Sequence, residues 1–216
     1  MKTDEALRQT ILDELEWNPS VTATEIGVAV RNGIVELTGH VSSYAEKRAA
    51  EQCVQKIAGV KGLALEINVR LPNHIQSADD EIAERAARIL GWNAMVPPDV
   101  VKVTVEKGWV TMRGEVDWNY QRDLARADIE KLSGVIGLAN LLTVKERVLP
   151  VNVKNKIEDA FRRDAVLDAA NIKVQTRGSE VVLEGRIHDW HERELATQAA
   201  WSAPGVSRVT DHLQIA

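Results

Sequence analysis

His188 and His191 stand three residues apart around Trp190, with Glu192 beside them. That spacing could turn three polar groups toward one metal ion. The chain repeats itself, however, and its register puts His188 where Ser42 and Asp117 stand, in a strand-to-helix turn. The cluster therefore reads as an exposed helix cap, and no metal is expected. His40 shares its position with Glu115 and Arg186, His212 with Glu66 and Leu141, and His74 falls in a linker. Cys53 lies mid-helix, where the other copies carry Asp128 and Ala199, with no basic neighbour fixed beside it to make a thiolate. Phosphate loops, dinucleotide glycine fingerprints and paired-His zinc helices are absent from the sequence. These residues point to no catalysis, no cofactor and no enzyme.

Tryptophan is the unusual component, since six Trp outnumber the two Tyr and one Phe together. The core must then be aliphatic, and each indole needs its own account. Trp17 and Trp92 align, both ending a first helix, and are expected to cover the open end of each small core. Tyr44, Trp118, Tyr120 and Trp190 gather where the chain turns into a second helix. An aromatic ring with one polar tip suits a membrane interface or a protein hot spot. The alternative is that these rings simply shield the sheet edge.

The elements that position these residues come from self-similarity. Shifted by about 75 residues, Asn32-Gly33-Ile34-Val35-Glu36-Leu37-Thr38-Gly39 lies over Lys107-Gly108-Trp109-Val110-Thr111-Met112-Arg113-Gly114. A further shift of about 71 brings Gly178-Ser179-Glu180-Val181-Val182-Leu183-Glu184-Gly185 into register. Further on, Gly59, Gly134 and Gly205 each precede a Val. The chain is three tandem units, residues 1–71, 77–146 and 150–216, with linkers around Pro72 and Pro150.

Each unit opens with an apolar stripe at i, i+4 and i+8: Leu7, Ile11, Leu15; Ile82, Ala86, Leu90; Val153, Ile157, Phe161. An alternating strand follows, then a hairpin at Asn32-Gly33 and its equivalents, then a second strand expected to end at Gly39, Gly114 and Gly185. Capping boxes at Ser43–Glu46 and Asp189–Glu192 start a second helix, expected to run to the Gly-Val pair before a third strand. The order α-β-β-α-β predicts an α+β fold, each unit a three-stranded mixed sheet with two helices on one face. Alternation sends Trp109 to the outer sheet face with Leu141 on a neighbouring strand, a sticky pair on a nominally solvated surface. Trp109 is therefore expected to be covered, by a neighbouring repeat or by a partner. On the inner face Asn140 and Asp211 interrupt an apolar series, either bonding nearby backbone or marking a bulge.

The glycine-closed hairpin runs ending at Gly39, Gly114 and Gly185, with the Gly-Val-x-x-hydrophobic run at Gly134-Val135-Ile136-Gly137-Leu138, resemble the BON domain, the bacterial osmotically inducible and nodulation family. The resemblance covers nearly the whole chain. It implies non-enzymatic modules, linked to stress, that engage phospholipid surfaces or other envelope components.

Charge bounds the partners. The net charge of −5 spreads as −2, −2 and −1 over residues 1–76, 77–149 and 150–216, so no repeat attracts nucleic acid. No apolar run approaches the roughly 20 residues of a membrane helix. Met1 is followed by acids rather than an apolar leader, so the chain as it stands is expected in the cytoplasm, or in the periplasm if it begins after a removed signal. The candidate contact surface is Trp109, Leu141, Trp118, Tyr120, Trp190 and Tyr44. A membrane phospholipid surface or an envelope protein is the expected partner. A scaffold or holdase using three modules for avidity is the alternative.

Overall fold

The computed structural model describes residues 3–72, 78–147, 152–164, 167 and 169–215, so His74 and Pro150 lie outside the described residues. The first unit runs α1 (Asp4–Trp17), β1 (Ile26–Arg31), β2 (Ile34–Val41), α2 (Tyr44–Gln55) and β3 (Gly62–Val69). The second runs α3 (Asp79–Trp92), β4 (Lys102–Glu106), β5 (Trp109–Val116), α4 (Asn119–Glu130) and β6 (Gly137–Val144). The third runs α5 (Val153–Arg163), β7 (Ile172–Arg177), β8 (Glu180–Ile187), α6 (Trp190–Trp201) and β9 (Arg208–Ile215). Each sheet is mixed. Its middle strand pairs antiparallel with the hairpin partner and parallel with the strand that returns after the second helix. The parallel pairing needs a long crossover, which α2, α4 and α6 supply.

The first-helix stripes are buried in all three copies, and each faces its own aliphatic core. Acids at the helix starts do more than favour the dipole. Asp4 accepts from the backbone N–H groups of Asn32 at 2.7 Å and Gly33 at 3.0 Å, and Asp79 does the same for Lys107 at 2.6 Å and Gly108 at 2.8 Å. One carboxylate thus ties α1, and another α3, to its hairpin.

Two expected boundaries move. The second helices stop at Gln55, Glu130 and Trp201, before the Gly-Val pairs, because a tight turn precedes each third strand. Gly59, Gly134 and Gly205 sit in that turn at φ 101°, 91° and 89°. The second strands run two residues past Gly39, Gly114 and Gly185, so these glycines lie inside the strand. The segment that leads into the antiparallel partner strand crosses them closely. A Cβ at Gly39, Gly114 or Gly185 would stand 2.1, 2.1 or 2.0 Å from the carbonyl oxygen of Glu25, Val100 or Asn171, and φ is 119°, 147° and 141°. A glycine inside a strand is the mark of such close backbone approach.

Candidate binding surface

Each second helix is anchored by a buried polar residue three places after its cap: Glu46, Gln121 and Glu192. Ser43 Oγ accepts from Glu46 N and Asp189 Oδ1 from Glu192 N, as the capping pattern requires. The Glu46 carboxylate reaches one residue further back, accepting from Ser42 N at 2.8 Å, and also takes Thr22 N at 2.7 Å. Burial alone would raise its pKa, but the hydrogen bonds from Thr22 and Ser42 outweigh that and hold it below the usual carboxylate value. Gln121 Oε1 accepts from Asp117 N and Trp118 N. Glu192 accepts from His188 N and lies 3.0 Å from His188 Nδ1, so its carboxylate serves the cap. Among the described residues no three His, Cys, Asp or Glu side chains gather to hold a metal. Asn140 and Asp211 bond nearby backbone, accepting from Leu142 N and Leu213 N, and Asp211 also pairs with Arg193 at 2.9 Å.

These locked turns aim the aromatic cluster at neighbouring repeats. Tyr44 packs against the second repeat's core, and burial pushes its phenol above the usual value despite the opposing pull of Arg48. Arg48 crosses the same seam to Glu130 at 3.1 Å. Trp190 packs against the first repeat's core and shares a cleft with Gln55. Trp118 and Tyr120 line a cleft of about 260 Å³ with Gln198, Trp201 and Ser202 of the third repeat. Arg147 lies over Trp118 at 4.8 Å and Arg122 over Trp201 at 4.6 Å. Burial lowers the pKa of Arg122, and Asp123 pulls the other way. The indole at 201 thus receives a half-buried cation from the second repeat.

Trp109 and Leu141 stay on the outer sheet face, each 51% exposed. The described residues leave half of Trp109 uncovered. Its ring lies over Gly137, its partner across the parallel pair, where an added Cβ would meet ring carbons at 2.2 Å. Ile34 lies over Gly62 in the same way in the first repeat. A large side chain shielding a strand glycine accounts for one side of the indole. The other side remains open.

The expectation for Trp17 and Trp92 is overturned. Rather than closing their cores, they are 85% and 82% exposed. The chain turns immediately after them at Asn18 and Asn93, whose side chains hold the turn by accepting from Ser20 N and Met95 N. Val96, not Trp92, joins the second core there, and Val21 packs on the first. Met95, three residues after Trp92, is 54% exposed. The signal was in the repeat register, since the third copy carries Arg163 at this position, and a site that takes arginine is a solvent site.

Comparison with known proteins follows the repeats. Residues 3–70, 78–146 and 151–216 each match the BON domain. The Escherichia coli K12 osmotically-inducible protein Y is 26% identical over 147 residues, which is 66% of this chain and 73% of that protein. Among solved structures, CdsD, a structural protein of the type III secretion system of Chlamydia trachomatis, aligns over 96% of this chain and 91% of its own, at 15% identity and a TM-score of 0.28. The PrgH periplasmic domain aligns over 95% and 99% at 10% identity and a TM-score of 0.22.

Proposed function

The chain belongs to the BON-domain family, and from that premise we propose that it is a non-catalytic binding protein of the osmotic and envelope-stress type whose three modules engage a phospholipid surface. Similarity to an osmotically inducible protein supports the stress setting. The observation that carries the membrane reading is the pair Trp17 and Trp92, two indoles at equivalent positions with more than four-fifths of their surface in water. Neither contributes to a core. Indole, apolar with one N–H, partitions to the level of lipid headgroups. No helix among the described residues is long and apolar enough to cross a membrane, so contact would be peripheral.

A second reading, a protein-binding scaffold, is favoured by Trp109 and Leu141 on the outer face of the middle sheet. Co-sedimentation with phospholipid vesicles separates the two. Sedimentation of the intact protein with vesicles, accompanied by a blue shift of tryptophan emission, is expected. A protein that stays in the supernatant at every lipid concentration would rule out the membrane reading.

A further inference from the structure

The seams between repeats are one contact made three times. The start of each second helix meets the end of another: Tyr44 by Glu130, Asn119 and Tyr120 by Trp201, Trp190 by Gln55. Positions 44, 119 and 190 are equivalent in the repeat register, as are 55, 130 and 201. The contact runs from the first repeat to the second, from the second to the third, and from the third back to the first. A heterologous contact that returns to its origin after three steps describes a closed ring with a threefold rotation. Rotation leaves height along its axis unchanged. Trp17, Trp92 and Arg163 therefore stand at one level of the ring, and a flat surface lying across the axis that meets one of them meets all three.

Resting on the phospholipid reading above, we infer that the ring presents Trp17 and Trp92 to one bilayer at the same time, so that the first two repeats bind it bivalently. The third repeat carries no indole at its corner. Its part is to close the ring, with Trp190 against the first repeat's core and Trp201 beneath Arg122 of the second. The charge around the corners is mixed. Asp13, Glu14 and Glu16 flank Trp17, Arg88 lies one turn before Trp92 but is paired with Glu84 at 2.6 Å, and Arg162, beside Arg163, is paired with Asp159 at 2.8 Å. Such a rim offers no cationic patch to draw an anionic headgroup, and the acids beside Trp17 oppose one, so the occupant is a neutral phospholipid surface held by the indoles.

Phosphatidylcholine vesicles and the full chain test this, with Trp17→Ser, Trp92→Ser and the double variant compared by co-sedimentation. Both side chains are outside the cores, so the variants fold. If each indole bound alone, losing one would halve the partition. Bivalent contact makes the second insertion intramolecular, so each single variant should lose on the order of tenfold or more, and the double variant should fall to background. Single variants losing only about half would overturn bivalency while leaving the phospholipid reading in place. A double variant that binds as well as the parent would move the contact elsewhere, to Trp109 and Leu141 for instance, and overturn the inference too. Failure of the unaltered chain to sediment would instead remove the reading on which the inference rests.

Discussion

At the scale of the residue, Glu46 shows how a single polar group serves a local geometry. It accepts from Ser42 and from Thr22, and those bonds hold its carboxyl below the ordinary value. Gln121 takes its place in the second repeat, where the position equivalent to Thr22 is Pro97, which has no N–H to satisfy. A glutamine suffices there because one acceptor fewer is needed. In the first repeat Glu46→Gln would set an amide N–H against that of Thr22, and the loss at neutral pH should be about 1–3 kcal/mol. The sign with pH follows from the depressed pKa. The stabilisation by the carboxylate is full above its unfolded-state pKa and is lost as the pH falls through the lower folded value. Urea midpoints of parent and variant should therefore converge toward acid, and a gap that stays constant with pH would contradict the assignment. The sequence made the Ser43–Glu46 cap legible, but not the third partner, because Thr22 sits 24 residues away across a turn that periodicity does not describe.

At the scale of the element, strand alternation and the i, i+4, i+8 stripes were legible because each is a local response to one buried face. Trp109 was placed on its correct face by that argument alone. Its environment was not, since the shielding of Gly137 depends on the register of a parallel pair formed across a helix. The repeated glycines were legible as a motif and misread as strand ends, because a crossing carbonyl leaves no trace in composition. The consequence is testable. At Gly114 any side chain meets the Val100 oxygen at 2.1 Å from its first carbon, with φ at 147°, so β4 and β5 must part for Gly114→Val to fold. A loss well above 1 kcal/mol is expected. Thermal unfolding that matches the parent within error would mean the crossing is not tight.

At the scale of the whole molecule, three repeats of about 70 residues are each near the lower size limit for independent folding. The ring lets each lend apolar cover to another: Tyr44 to the second core, Trp190 to the first, and Trp201 to the half-buried Arg122. Nothing in a single repeat announces these seams, since the aromatic residues could equally have faced solvent, and only closure of the chain decides it. The seams are unequal. At the first, Arg48 Nε makes no hydrogen bond but is compensated by its ion pair with Glu130 at 3.1 Å, whereas among the described residues Asn119 Oδ1 at the second and Trp190 Nε1 at the third are buried with neither hydrogen bond nor counter-charge, each a cost to its contact. The third repeat, which makes both of those seams, should therefore leave the ring first. Trp190→Ala removes its hold on the first core, and truncation of a large buried ring costs about 3–5 kcal/mol where burial is complete, less at a half-buried seam. Hydrogen exchange resolved by segment should show protection falling along α6 and on the first-repeat core residues that Trp190 covers. The cores around Met112 and Ile129 should keep theirs. Loss spread evenly over all three repeats would mean that they unfold as a single cooperative unit, and that no seam is the weak one.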